Sequence, residues 1–263
     1  MSYLSVGVLK TGSVHPNLKE RFEDYEIILT RLIQDSLPEV KISSKSYDVQ
    51  KFQRPKNIND HQLYLITGSR FGVYEDLDWI HFLLKVVDEI VHSKHCNQKI
   101  LGICFGHQII AKYFGAEVSL EKSGWALGVR DYQIQNTVSW IDTEVSSFSL
   151  LGFHQDQVKN EPKDLKVWAT SAHCPYAGFY LGSQIMTIQA HPEFSPEYEK
   201  ALLKEVSSEG RFSKQAMNVA IESVNQYPVH RKLFKCFFRN FFLNKNKEKI
   251  QSVNIPRSTK NIP

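Results

Sequence analysis

Two stretches of this chain have residue types that can do covalent chemistry together. One is a cysteine bracketed by glycines, Gly102-Ile103-Cys104-Phe105-Gly106; the other is a downstream His191-Pro192-Glu193. The cysteine follows an apolar run, Ile100 to Ile103, and precedes a helix-like run, Gln108 to Phe114. That is the pattern of a nucleophile at the tip of a tight strand-to-helix turn. Such a turn strains the backbone, and small residues two positions either side let strand and helix pack closely. The next backbone N–H, that of Phe105, then points into the same space as an oxyanion donor. In an extended segment residues two apart share a side, so Glu193 can reach His191, and Pro192 disfavours helical geometry at His191. Cysteine, histidine and carboxylate make a nucleophile, its base and the base's orienter. A free thiol is mostly protonated at neutral pH; a nearby imidazole and the first turn of a helix both favour the thiolate.

With these residues in view, the chain resembles the class I (triad-type) glutamine amidotransferases, especially GMP synthase-like stand-alone glutaminase domains and γ-glutamyl peptidases. The nucleophile motif is matched by Gly102 to Gln108 and the base motif by His191-Pro192-Glu193. Leu65-Ile66-Thr67-Gly68-Ser69 matches the family's strand and glycine-containing loop, and His154-Gln155-Asp156-Gln157-Val158 its His-x-Asp-x-Val stretch. The resemblance spans roughly residues 3–200. It implies a γ-glutamyl thioester on Cys104, with His191 moving the proton and Glu193 holding the imidazole. It further implies an oxyanion hole from Gly68 and Phe105, and substrate contacts from Gln108, Phe153, His154, Gln155 and Asp156. Many members carry a second glycine after the one matched by Gly68; here Ser69 and Arg70 follow, and a serine still presents a backbone N–H.

The elements that must position these residues alternate early between strand and helix. Strands are expected over Leu4–Lys10, Val40–Asp48, Gln62–Thr67 and Lys99–Ile103, and helices from about Leu18 to Ser36 and from Glu75 to Ser93. In the second helix, Leu77, Ile80, Leu83, Leu84, Val87 and Val91 recur at helical spacing. After Ala116 the segments shorten, to Val129–Gln135, Val167–Ala169, Gly178–Tyr180 and Ile185–Gln189, before a helix at about Pro196–Ser208. This order predicts an α/β fold: a doubly wound, flavodoxin-like, mostly parallel sheet flanked by helices, with a small antiparallel patch. The expected organisation is a domain over residues 1–210, a helical appendage over 211–245 and a loose polar tail over 246–263. The aromatic run Leu233 to Leu243 is expected to dock on its own domain rather than on a membrane.

With 42% hydrophobic and 23% charged residues, the composition is that of an ordinary globular protein. A net charge of +4 from dispersed basic residues leaves no nucleic-acid footprint. No apolar run approaches the ~18 residues of a membrane span. The N-terminus lacks the basic region of a signal peptide, and the four cysteines show no Cys-x-x-Cys spacing. Reduced thiols and a cytoplasmic location, with the nucleus also open, are therefore expected. Gly12-Ser13 is followed by no phosphate-loop pattern, and His92, His95 and Cys96 fall short of a structural metal's four ligands. No cofactor and no metal are expected. The expected partner is a small γ-glutamyl substrate. The roughly 50 residues after 210 are too few for a synthetase domain, so any ammonia acceptor would sit on a separate chain. Three readings stand open: a stand-alone hydrolase of glutamine or another γ-glutamyl amide, a peptidase acting on glutathione or its conjugates, and a glutaminase that depends on a partner chain for activity.

Overall fold

The computed structural model describes residues 2–93, 98–135, 138–141 and 144–243. The expected tail from 246 onward, and His95 and Cys96, lie outside them. The chain runs β1 (Ser2–Lys10), α1 (Tyr25–Ser36), β2 (Val40–Asp48), β3 (Leu63–Ile66), α2 (Asp78–Val91), β4 (Lys99–Ile103) and α3 (Phe105–Tyr113). It continues through β5 (Val118–Leu120), β6 (Ala126–Ile134), β7 (Ser147–His154), β8 (Asp156–Val158), β9 (Lys166–Thr170), β10 (Gly178–Leu181) and β11 (Ile185–Ile188). Three helices follow: α4 (Pro196–Ser208), α5 (Lys214–Gln226) and α6 (Arg231–Leu243).

One nine-stranded sheet has the order β2-β1-β3-β4-β11-β10-β9-β6-β7. Its first five strands are parallel, and the other four continue the same sheet antiparallel. Side-chain alternation along the parallel strands builds two core layers. Val6, Val8, Leu63, Leu65, Leu101 and Ile103 face α1 and α6 on one side. Leu9, Tyr64, Ile66 and Ile100 face α2 and α3 on the other. This is the flavodoxin-like, doubly wound layering that the strand–helix alternation predicts. β5 and β8 form a separate antiparallel pair. No helix among the described residues is long and apolar enough to cross a membrane.

Three local outcomes differ from the sequence expectations. The first helix starts at Tyr25, not near Leu18. Pro16–Leu18 forms only a single 3-10 turn, and Asp24 caps α1 by accepting the Tyr25 N–H at 2.9 Å while pairing with Lys10. The second helix starts at Asp78, because Glu75 closes a loop by accepting the Gly72 N–H at 2.6 Å. β7 gives no strand signal in the sequence: Phe148, Leu150 and Leu151 are all buried, so polar residues do not alternate along it. It nonetheless pairs with β6 from Ala126↔His154 to Gln133↔Ser147.

α6 shows an apolar face at i, i+3, i+4 and i+7: Phe234, Phe237, Phe238 and Phe241, all buried. Phe237 sits edge-on to Phe148 and Trp168, with ring centroids at 5.5 and 6.1 Å. Phe237→Ala should lower the unfolding free energy by about 3–5 kcal/mol, read from urea denaturation. A loss below about 1 kcal/mol would mean that α6 is not part of this core.

α4 carries one buried carboxyl, Glu199, which has no exposed surface. Its Oε1 accepts the Gly128 N–H at 3.3 Å, and its Oε2 has no partner. Burial pushes it up to about 8, with Glu193 pushing the same way and His191 and the Gly128 N–H opposing. A folded-state value above the unfolded 4.5 means stability that is full below about pH 4.5 and is lost as pH rises through 8. Glu199→Gln should remove that loss. Its stability relative to the natural protein should grow by up to about 1.4 kcal/mol per pH unit across this window. Denaturation at pH 5 and pH 8.5 checks it; a difference independent of pH would contradict the assignment.

Candidate active site

Cys104 occupies the single residue between β4 and α3, with φ 51° and ψ −101°. Positive φ in a non-glycine residue costs on the order of 1–3 kcal/mol and needs outside support. Here the Cys104 N–H donates to the carbonyl of Ile188 on β11 at 2.9 Å, and the Gln108 N–H donates to the Cys104 carbonyl at 3.1 Å. The flanking glycines are required by close approach. A Cβ on Gly106 would lie 2.3 Å from the carbonyl oxygen of Ile66, and one on Gly102 would lie 2.5 Å from that of Gly106. Helix, nucleophile strand and neighbouring strand therefore touch backbone to backbone.

His191 reaches the same place from the end of β11. Its N–H donates to the Leu151 carbonyl on β7 at 2.9 Å, in an isolated antiparallel bridge. Its Nδ1–H donates to Oε1 of Glu193 at 2.8 Å, and both side chains are buried. The ring lies flat on Phe194, with centroids 4.0 Å apart and planes within 11°, and Tyr198 holds Phe194 edge-on at 4.6 Å. The Cys104 side chain is also close enough to the imidazole to act on it electrostatically. Burial alone would lower the imidazole's basicity. The Glu193 carboxylate and Cys104 together outweigh it and raise His191 well above the ordinary histidine value. A protonated imidazole held against sulfur is the setting in which cysteine acts as a nucleophile.

Gly68 completes the convergence. A Cβ there would lie 3.2 Å from His191 Cε1 and 3.8 Å from Cys104 Cβ, so the loop leaves room for both groups. Its carbonyl is anchored by the hydroxyls of Thr11 and Thr67, each donating at 3.1 Å. The Phe105 N–H lies in the first turn of α3, where helix N–H groups have no partner within the helix. The Phe105 ring itself packs on Trp79.

These groups open onto a cavity of 580 Å³ whose walls include Gly68, Cys104, Gln108, Phe153, His154, Gln155, Asp156 and His191. Phe105 and Glu193 lie outside the cavity lining. Gln108 uses its amide nitrogen to donate to the Asp156 carbonyl and to Oε1 of Gln189, each at 3.0 Å, which ties α3 to β8. Phe153 packs edge-on to Trp125, and Gln155 Nε2 donates to the Glu121 carbonyl at 3.4 Å. His154 is buried, and burial pulls it down to about 3, so it is neutral, with Nδ1–H donating to the Asp156 carbonyl at 3.1 Å. Burial raises the Asp156 carboxyl, while the hydroxyl of Tyr74, donating at 3.3 Å, opposes this. His107, inside the nucleophile motif, does not line the cavity. It stacks on Phe179 at 5.0 Å and is pushed by burial to about 3.

The far wall had little sequence signal. It comes from the loop at residues 12–16, from Arg70 and Tyr74, and from Arg211, whose guanidinium lies over Trp125 at 5.3 Å. Only Arg70 invites a binding role from sequence, through its place after the Gly68 loop. Among the described residues no three His, Cys, Asp or Glu side chains are placed to hold a metal. Cys104, Cys174 and Cys236 are free thiols.

Known proteins resemble this chain in sequence and in fold. The family model of glutamine amidotransferase class-I matches residues 23–207. The chain is 27% identical to γ-glutamyl peptidase 3 of Arabidopsis thaliana, over 73% of this chain and 78% of that protein. It is 30% identical to a glutamine-hydrolysing GMP synthase chain of Thermoplasma acidophilum, over 53% of this chain and 69% of that one. The crystal structure of a glutamine amidotransferase from Thermotoga maritima superposes with a TM-score of 0.70 at 19% identity, covering 92% of this chain and 97% of that one. The protein belongs to the class I glutamine amidotransferases.

Proposed function

We propose that this protein is a cysteine hydrolase of γ-glutamyl amides, working through a γ-glutamyl thioester on Cys104. The observation that carries this reading is the meeting of Cys104 with the His191–Glu193 pair at the wall of the 580 Å³ cavity. With the thiol proton already resting on His191, Sγ bonds to the γ-carbonyl carbon. The carbonyl oxygen becomes an oxyanion that accepts from the N–H groups of Phe105 and Gly68. The imidazolium then gives its proton to the departing nitrogen, and the C–N bond breaks to leave the thioester. Water, losing its proton to His191, attacks the thioester and releases glutamate and the free thiol. Throughout, Glu193 keeps Nδ1 protonated and the ring in place. Gln108, Phe153, His154, Gln155 and Asp156 form the wall against which the γ-glutamyl group lies.

The cavity supports a substrate larger than glutamine. Its volume falls in the range of about 300–1,000 Å³ that holds drug-sized ligands. The resemblance to γ-glutamyl peptidase 3 supports the same choice. The favoured leaving group is therefore the amine of an amino acid or short peptide, as in glutathione or its conjugates, rather than ammonia.

Cys104→Ala should cut turnover by more than about 10³-fold while leaving the thermal midpoint unchanged. A panel of glutamine, glutathione and a glutathione conjugate should give kcat/KM at least roughly tenfold higher for the two larger substrates. Undiminished turnover in the alanine variant would refute the thioester. Faster turnover of glutamine would refute the peptide preference.

A further inference from the structure

The family match ends at residue 207, yet a residue well beyond it reaches the segment that follows His191. Arg231, the first residue of α6, donates from Nε to the Pro192 carbonyl at 3.0 Å and from Nη2 to the Glu193 carbonyl at 3.1 Å. A single planar fork thus holds two successive carbonyls of the segment that carries base and orienter. The chain that carries Arg231 is held on either side of it. The preceding residue, His230, donates its N–H to the Ser149 carbonyl at 2.7 Å and accepts the Ser149 N–H on Nδ1 at 2.9 Å. The following helix is anchored by four buried phenylalanines. Ser149 lies on β7 two residues before Leu151, which takes the His191 N–H. One edge strand therefore fixes the base loop twice, directly at Leu151 and through His230–Arg231.

We propose that Arg231 is a positioning residue for the reaction, contributed by the C-terminal segment: its fork on the Pro192 and Glu193 carbonyls keeps Glu193 on Nδ1 of His191 and the imidazole on Cys104. The inference rests on the Cys104–His191–Glu193 reading above. Arg231 does not line the cavity, so it acts on the groups that react and leaves substrate binding alone. Removing it lets the loop drift, and a displacement of about 1 Å at a catalytic group costs up to about 10²-fold in rate.

The test uses the full chain and four variants: Arg231→Ala, Arg231→Lys, Cys104→Ala and Lys235→Ala. Lys235→Ala removes the Lys235–Asp35 ion pair one turn along the same helix without touching the base loop. Turnover of a γ-glutamyl peptide gives kcat and KM. Iodoacetamide alkylation of the Cys104-containing peptide, followed by mass spectrometry, reads the nucleophile independently of any substrate. Arg231→Ala should lose roughly 10- to 100-fold in kcat with KM within about twofold, and its Cys104 alkylation should slow. Free guanidinium ion at low concentration should restore part of both in that variant and nothing in the natural protein. Arg231→Lys should fall between the two, and Lys235→Ala should match the natural protein. Natural kcat and alkylation in Arg231→Ala would overturn the proposal. So would a loss that guanidinium leaves untouched and that tracks a fallen thermal midpoint. If the alanine variant does not fold, Arg231→Lys carries the test: a guanidinium-restored kcat deficit supports the proposal and a natural kcat overturns it. Turnover surviving in Cys104→Ala would sink the thioester reading instead, a result distinct from turnover surviving in Arg231→Ala.

Discussion

The close approach of α3 to β3 and β4 governs this molecule's site. With Gly106 against the Ile66 carbonyl and Gly102 against Gly106, the chain can turn from strand to helix in one residue. That residue is Cys104, forced into positive φ and held there by the carbonyl of Ile188 on the next strand. The same neighbour strand, β11, runs straight on to His191. Cys104 and His191 are thus delivered from adjacent parallel strands, at the carboxyl edge where a doubly wound sheet opens its crevice. A side chain at either glycine would separate helix from sheet and move the sulfur.

Electrostatics follows from the same packing. Burial penalises a charged imidazole at 191, and the Glu193 carboxylate and the sulfur offset that penalty. Only one of the nearby carboxyls has the imidazole as a direct partner. Glu199, behind it with no hydrogen-bond donor on Oε2, takes up a proton instead. Both carboxyls are buried, but only Glu193 has a direct hydrogen bond to the imidazole. Phe194, flat against the imidazole, supplies no charge and limits the ring's tilt.

Much of this was legible in the sequence where local rules and tertiary demand agree. β2, β4 and α4 have the spans expected for them from the sequence. Cys104, His191 and Glu193 announce themselves because the glycine spacing and the His-Pro-Glu run are local features. Pro192 and Glu193 nonetheless form a turn, with the Phe194 N–H donating to the His191 carbonyl at 3.3 Å, rather than the extended segment expected. What the sequence hid depends on contacts distant along the chain. β7 is covered on both faces and lacks the alternation that marks a half-exposed strand, though Leu151 and Ser149 on it organise the base loop. The delayed start of α1 reflects a lysine 14 residues away pairing with Asp24. The fork of Arg231 spans 38 residues to the Glu193 carbonyl, with no motif to mark it. The far wall of the cavity gathers loops from both ends of the chain, and no spacing rule joins them.

The central claim is that sulfur 104 becomes acylated during turnover. Its most direct test is rapid acid quenching of the enzyme mixed with excess γ-glutamyl peptide, followed by mass spectrometry of the proteolysed chain. The account predicts a transient mass increase of one γ-glutamyl group confined to the peptide containing Cys104, rising before free glutamate reaches its steady rate. Product formation with no such adduct at any quench time, or an adduct on another residue, would contradict it.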